Sequence, residues 1–180
     1  MSVYVASLKE SDIDRIIEIE TTSFSMDVRE SKELYLKRIS LFREGNLGFY
    51  KDQTLLGFFC SELWLYKERY EADRFTLNGD FETYHNKNGK ELYISSFAVD
   101  RKYRNLIKGK VAFDLAVKTL LNKFNLESII LLVGQNWVAA HSIYNQWGFK
   151  EIYKIEGFFS NPNADGETAI IMRAKLPQFG

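Results

Sequence analysis

Leu92-Tyr93-Ile94-Ser95-Ser96-Phe97-Ala98-Val99, the charged run Asp100 to Lys108, the segment Gly109 to Phe124 and then Ser128-Ile129-Ile130-Leu131-Leu132-Val133 form the stretch on which the fold turns. The first run is small and apolar, as a strand requires. Gly109 to Phe124 carries Ala112, Leu115, Ala116, Leu120 and Phe124 at helical spacing. Ser128 to Val133 is unbroken in its hydrophobicity, which suits a strand buried on both faces. The three together predict a βαβ crossover with parallel strands.

Toward the N-terminus, Val3 to Ala6 predicts a strand, and Ser11-Asp12 offers an N-cap before Ile13, Ile16, Ile17 and Ile19, an apolar set at helical spacing. Ser31 to Glu44 repeats that period through Leu34, Tyr35, Ile39 and Phe42, with Gly45 where a left-handed C-cap would end a second helix. Leu47 to Tyr50 and Leu55 to Leu65 are apolar segments joined by Lys51-Asp52-Gln53-Thr54, a connection suited to a hairpin. From about 67 to 90 the pattern turns irregular and polar, with turn signals at Asn78-Gly79-Asp80 and Asn86-Lys87-Asn88-Gly89, and reads as an insertion over the surface. Beyond Val133, Trp137 to Trp147 predicts a short helix stopped by Gly148. Phe149 to Phe158 and Glu167 to Ala174 predict two strands around Asn161 to Gly166. The order is β-α-α-β-β-β-α-β-α-β-β, without internal repeats.

Composition narrows the function. A chain of 180 residues that is 46% hydrophobic and 15% aromatic is long enough for one well-buried core and short for two, so a single domain over 1–180 is expected. Lys and Arg number 24 against 24 Asp and Glu, with no basic tract, which argues against a nucleic-acid partner. No apolar run approaches the roughly 20 residues needed to cross a bilayer, and Met1 to Tyr4 lacks a basic segment leading into an apolar one. A soluble, cytoplasmic protein with no membrane partner is expected. One cysteine, Cys60, excludes an internal disulfide framework and a multi-Cys zinc site. Cys60 lies in an apolar stretch and is expected to be a buried structural thiol; no metal site is read.

The predicted order, with Phe97-Ala98-Val99-Asp100-Arg101-Lys102-Tyr103-Arg104, then Asn105-Leu106-Ile107-Lys108-Gly109-Lys110, then Asn136-Trp137-Val138-Ala139 and Tyr144-Asn145-Gln146-Trp147-Gly148-Phe149, resembles the GNAT superfamily of acyl-CoA-dependent N-acetyltransferases. The tail from Gly157 to Met172 resembles the final hairpin of the branch that acetylates ribosomal proteins and other protein N-termini. The resemblance implies an α/β (α+β) fold. Its central sheet would be mixed and mostly antiparallel, with one parallel pair splayed around the cofactor and helices on both faces. It also implies acetyl-CoA as co-substrate, with the backbone of Phe97, Ala98 and Val99 pairing with pantetheine. Arg104, Asn105, Leu106, Ile107, Lys108, Gly109 and Lys110 would form the phosphate loop, and Asn136 would help to hold the cofactor. The loop logic is physical as well, since a helix N-terminus presents unpaired N–H groups and the positive end of its dipole to a diphosphate. Ile107 stands where the family prefers its first loop glycine, and a β-branched side chain is costly at positive φ or beside a phosphate.

Amine acetylation needs a neutral amine, a route for its proton, stabilisation of an oxyanion and an acid for the departing thiolate. By the resemblance Tyr144 is that acid, and a phenol with pKa near ~10 is protonated at neutral pH; otherwise it is an aromatic packing residue. A backbone N–H at Val99 or its neighbour would meet the oxyanion. Leu132 occupies the strand position where N-terminal acetyltransferases often carry a glutamate. Glu62, on the third strand, is the candidate base if alternation turns it to the acceptor groove, and a solvated strand residue if it does not. Ser95 and Ser96 could position a water chain or simply permit close packing. His85 is expected on the surface and His141 on a solvent-facing side of the last helix. Phe24, Tyr35, Trp64, Tyr66, Phe158 and Phe159 border the acceptor site by resemblance, each a core candidate too. The 67–90 segment carries charges of both signs and names no substrate.

Two functions follow. One is acetyl transfer from acetyl-CoA to a primary amine, a protein N-terminus or a small amine, by direct attack in a ternary complex, with a homodimer allowed. The other is a weak or inactive CoA-binding or interaction module, motivated by Ile107 and the absent strand glutamate. A phosphate-loop nucleotide enzyme is set aside, because no Gly-x-x-x-x-Gly-Lys-Ser/Thr occurs.

Overall fold

A computed structural model describes residues 2–76, 80–159 and 167–177. The turn read at Asn78-Gly79 and the loop read at Asn161 to Gly166 lie outside them. Seven strands form one sheet: β1 (Tyr4–Ser7), β2 (Leu47–Lys51), β3 (Thr54–Trp64), β4 (Glu91–Val99), β5 (Ser128–Gly134), β6 (Lys150–Phe159) and β7 (Glu167–Lys175). Their spatial order is β1-β2-β3-β4-β5-β7-β6, and every neighbouring pair is antiparallel except β4 with β5. The helices are α1 (Ile13–Ser23), α2 (Lys32–Leu41), α3 (Phe81–Tyr84), α4 (Gly109–Leu121) and α5 (Val138–Gln146). None of the described helices is long and apolar enough to cross a membrane.

Alternation along β3 assigns helices to the two faces of the sheet. Phe58 and Cys60 pack with Ile13, Ile16, Tyr35 and Ile39 of α1 and α2, whereas Phe59 and Leu63 pack with Ala112, Phe113 and Ala116 of α4. Cys60 is therefore the buried thiol expected. The β2–β3 hairpin closes through Asp52 and Gln53 at φ 48° and 67°, the left-handed pair that matches strand twist. Gly45 differs from expectation. It is not left-handed but ends a 3-10 turn (Arg43–Gly45) beyond α2, and a Cβ there would lie 1.9 Å from Phe42 Cε1, so the position serves the close approach of that ring.

The 67–90 segment is more than a surface covering. Tyr70 and Phe75 are buried with Trp64, Tyr93, Ile130 and Ile171 in a cluster of their own. Arg173 of β7 staples the start of the segment to the sheet: Nη2 donates to the Lys67 carbonyl at 2.7 Å and Nη1 to that of Glu68 at 3.1 Å. Its Nε donates to buried Glu91 at 2.7 Å. The pattern looked polar because these few apolar anchors are spaced irregularly among exposed charges.

At the end of α5 the stop at Gly148 is as expected. Gly148 sits at φ 90°; its N–H donates to Asn145 O and the Phe149 N–H to Tyr144 O, both at 3.1 Å, the paired bonds of a Schellman cap. Nothing lies within 4 Å of a Cβ built on Gly148, so only backbone strain opposes a side chain there. We expect Gly148→Ala to lower unfolding free energy by about 1–2 kcal/mol, read from urea denaturation midpoints; an unchanged midpoint would show that the left-handed cap contributes nothing.

Candidate active site

The parallel strands part. β4 and β5 pair only over Glu91–Ile94 and Ser128–Leu131; beyond that β4 runs on beside β3 and β5 beside β7. A bulge marks the parting: Cys60 faces Ser96 and Ser61 faces Ile94, which leaves Ser95 as the extra residue in β4. The edge of β4 that turns toward β5 thus loses its strand partner from Ser95 to Val99, and its backbone groups there are open to an extended ligand. A cavity of about 410 Å³ occupies the gap, with Phe97, Ala98 and Val99 on one wall and Leu131 and Leu132 on the other.

One end of this cavity meets the start of α4. Asp100 holds the turn before it. Its N–H donates to Leu56 O, one carboxylate oxygen accepts from Lys102 N–H at 2.9 Å, and the other pairs with Arg15. Burial would raise the Asp100 carboxyl, but the Lys102 amide and the Arg15 guanidinium outweigh it and hold it below the usual range. Ile107 is 4% exposed, belongs to the core beneath α4 and does not have positive φ. The loop thus accommodates its β-branched residue by turning it inward. Lys108 is the N-cap without a side-chain bond, and the first helical bond runs from Ala112 N–H to Lys108 O at 3.0 Å. The N–H groups of Gly109, Lys110 and Val111 consequently have no intrahelical acceptor. The first turn carries no acidic residue, so these donors fit a diphosphate.

Arg104 and Gly109 line the cavity, whereas Asn105, Leu106, Ile107 and Lys108 of the adjoining loop and Lys110 in the first turn of α4 do not form its wall. Asn136 is exposed, with its backbone N–H on the Glu167 carboxylate at 2.8 Å, and is not brought into the cavity; its neighbour Trp137 is.

Tyr144 lines the same cavity from α5. It is the residue whose carbonyl accepts the Phe149 bond of the Schellman cap, and its ring packs 5.4 Å from Phe113 and 5.7 Å from Phe149. No hydrogen bond engages its hydroxyl among the described residues. Burial pushes the phenol well above its ordinary pKa, so it stays protonated at any physiological pH.

Glu62 is not a solvated strand residue. It is 4% exposed, lines the cavity, and accepts from Trp64 Nε1 at 2.7 Å. Burial pushes its carboxyl up to about 7, although Arg38 and the Trp64 bond oppose the shift. Arg38 itself is committed to Glu30 through both terminal nitrogens, one at 2.8 Å. Ser96 Oγ lies 3.3 Å from the Tyr35 hydroxyl, which in turn donates to Glu20. Ser95 Oγ is buried without a partner and lines the cavity.

The histidines depart from expectation. His85 is half-buried between Phe42 and Phe81 and accepts the Leu63 N–H at 3.2 Å; burial lowers its pKa. His141 is also half-buried, with Nε2 3.0 Å from Gly134 O. Both bind backbone and neither lines the cavity. Leu132 does line it and places an apolar side chain there. Of the aromatic set, Phe24, Phe158 and Phe159 line the cavity, Tyr35 and Trp64 support it from the core, and Tyr66 is 44% exposed. Three charged wall residues were not anticipated: Glu30, Arg38 and Arg74. Arg38 carried a signal, since it sits between Tyr35 and Ile39 on the face of α2 that buries.

With this geometry in place, the chain can be set beside known proteins. The profile of the acetyltransferase (GNAT) family matches residues 13–149. A curated relative named as a probable hydrolase, YhcX of Bacillus subtilis, is 28% identical over 131 residues, which cover 71% of this chain and 25% of that protein. An N-alpha-acetyltransferase of Sulfurisphaera tokodaii is 31% identical over 87 residues, 48% of this chain and 50% of its own. The chain thus spans half or less of the length of these curated relatives. Among solved structures, Ard1 from Thermoplasma volcanium superposes with a TM-score of 0.75 at 18% identity, covering 99% of this chain and 100% of that one, a likeness of fold.

The Glu62 environment makes a prediction independent of any activity. Its folded pKa lies above the unfolded value of about 4.5, so the native state holds the extra proton between roughly pH 4.5 and 7, and stability is lost as pH rises through that window. Glu62→Gln removes the charge that must be buried. Relative to the wild type, the variant should gain on the order of 3 kcal/mol or less between pH 5 and pH 8, measured by urea denaturation at both; a wild-type-to-variant difference independent of pH would contradict a buried, raised carboxyl.

Proposed function

Because this chain belongs to the acetyltransferase (GNAT) family, we propose that it transfers an acetyl group from acetyl-CoA to a primary amine by direct attack in a ternary complex. The single observation that carries this reading is that one cavity touches the parted edge of β4, the open start of α4, Tyr144 and Glu62. Pantetheine pairs with the free backbone of Phe97 to Val99, much as an added strand pairs with a sheet edge. The diphosphate rests on the N–H groups of Gly109 to Val111, with Arg104, Lys108 and Lys110 supplying charge.

The chemistry then distributes over named groups. Glu62 accepts a proton from the amine, directly or through a water held near Ser95 and Ser96. The freed nitrogen forms its bond to the thioester carbonyl carbon, and a backbone N–H of β4 beyond the bulge meets the oxyanion. The carbon–sulfur bond breaks, the departing thiolate takes its proton from Tyr144, and the nitrogen's second proton passes to the tyrosinate so formed, which restores the phenol. A carboxyl raised to about 7 suits a base at neutral pH, and a phenol raised by burial remains a donor. The acceptor is a protein N-terminus or a small amine; the similarity to an N-alpha-acetyltransferase supports the former. A module without turnover finds less support, since Ile107 is accommodated in the core and Glu62 puts a carboxylate in the cavity.

The test is incubation with acetyl-CoA and a panel of amines and peptides, read as a mass gain of one acetyl group; CoA bound with no amine modified would overturn the reading. Tyr144→Phe should lower kcat more than about tenfold with CoA affinity nearly intact, since only a hydroxyl is lost. Unchanged kcat would reduce Tyr144 to packing. In the wild type kcat/KM should rise with pH through about 7 and level off above it, because the base acts only when deprotonated. Glu62→Gln should remove that limb and cost about a hundredfold or more in rate; a limb that persists assigns the titration to another group.

A further inference from the structure

The 67–90 segment looks charge-balanced in sequence, but folding sorts its charges. Among the described residues of the segment, every charged side chain is exposed except Arg74, which turns inward to the wall of the cavity. Its guanidinium carbon lies 4.4 Å from the ring centroid of Trp64, 4.5 Å from that of Tyr84 and 4.8 Å from that of Tyr70. One terminal nitrogen reaches the Tyr84 carbonyl at 3.4 Å, and the buried Nε has no partner. The other arginines that are not exposed have acceptors for their forks: Arg15 has Asp100, Arg38 has Glu30, Arg173 has Glu91, and Arg29 donates to the Phe24 and Thr21 carbonyls at 2.9 and 2.8 Å. No described carboxylate lies within ion-pairing reach of Arg74. Aromatic faces hold a guanidinium in place but do not fill its planar fork of donors, and unfilled donors are costly away from water.

Glu62 is the counterpart. It lies in the same cavity, and no described cation is within ion-pairing reach of it, Arg38 being committed to Glu30. Arg104 also lines the cavity but is exposed beside the start of α4, at the phosphate end. Among the described residues, the acceptor chamber therefore presents one negative group, Glu62, and one positive group, Arg74, that have no ion-pair partner, with Phe75 and Tyr84 as apolar wall beside the latter.

Building on the acetyl-transfer reading, we propose that the acceptor is an aminocarboxylate: a primary amine that also bears a carboxylate, with the amine directed to Glu62 and the carboxylate seated on the Arg74 fork. A free amino acid has this chemistry, and so does a peptide N-terminus followed by an acidic side chain. Arg74 is then the residue that sets specificity, and carboxamide analogues, which keep the shape and lose the charge, are discriminated against.

The experiment compares matched pairs: free amino acids against their amides, and peptides with glutamate at the second position against the same peptides with glutamine. Each pair is assayed for acetylation from acetyl-CoA, and for thermal stabilisation of the CoA-saturated protein, with wild type, Arg74→Leu and Arg74→Lys. The carboxylate member of at least one class should be favoured by about tenfold or more in kcat/KM, chiefly through KM. Arg74→Leu should erase the preference by bringing the carboxylate member's kcat/KM down to that of its carboxamide in the same variant, and Arg74→Lys should restore part of it. A free amino acid favoured alone identifies a small-molecule acceptor, and a glutamate peptide favoured alone identifies a polypeptide one; either supports the inference. Amines acetylated without regard to the carboxylate would overturn it and leave acetyl transfer standing. Equal loss for both members of a pair in Arg74→Leu, with unchanged discrimination, would reduce Arg74 to a structural stack. If no amine is acetylated, the acetyl-transfer reading fails. The binding arm still decides the inference: carboxylate-dependent stabilisation lost in Arg74→Leu upholds Arg74 as the anion site, and its absence in the wild type overturns it.

Discussion

Two neighbouring parallel strands that stop pairing after four residues create the rest of this molecule's chemistry. β4 and β5 are joined from Glu91 to Ile94, and then the extra residue at Ser95 bends β4 away. A sheet interior does not ordinarily expose backbone donors and acceptors, because leaving them unpaired away from water is costly. Here the cost is tolerated along Ser95 to Val99, and the gap opens to a cavity in which a ligand can complete the ladder. The flanking pairs keep the gap from closing. β3 holds β4 along its whole length, and β7 holds β5 from Ser128 to Gly134, so each parted strand stays fixed by its outer neighbour.

Around that gap, local devices aim single groups. The Schellman cap at Gly148 ends α5 so that Tyr144 faces the cavity and Phe149 packs behind it. The Arg15–Asp100 pair fixes the turn that leads to the open N-terminus of α4. On the opposite side, Glu30 and Arg38 neutralise each other, which leaves Glu62 to be governed mainly by burial. Burying an ion pair of this kind adds little to stability by itself, yet removing one partner would strand the other, so the pair is best understood as setting the charge of the chamber.

How legible this was depends on the kind of signal. Regular periodicities announced the strands and four of the helices, because Ile13, Ile16 and Ile19 or Ala112, Ala116 and Leu120 repeat at spacings that a single buried face demands. Gly148 announced its cap, since a left-handed residue directly after a periodic run favours glycine. Gly45 misled for the complementary reason: close approach of the Phe42 ring demands the same residue without demanding the same backbone. Ile107 looked like an obstacle at the phosphate loop, and only the three-dimensional path shows it turning into the core. Within the site, Tyr144 and Gly109 were marked by local pattern, and Glu62 by strand alternation. Arg74 was not readable at all. Its role depends on which of many interspersed charges turns inward, and that is decided by Tyr70 and Phe75 burying in one cluster with Trp64, Tyr93 and the sequence-distant Ile130 and Ile171.

The account stands on a coenzyme lying along the parted edge of β4 with its diphosphate at the start of α4. Residue-resolved amide hydrogen exchange with and without saturating CoA addresses this most directly, since a ligand that pairs with those backbone groups must slow their exchange. The account predicts added protection at amides within 95–99 and at Gly109 to Val111, with β1 and β6 unchanged. Protection confined to other segments, or none on addition of CoA, would contradict it.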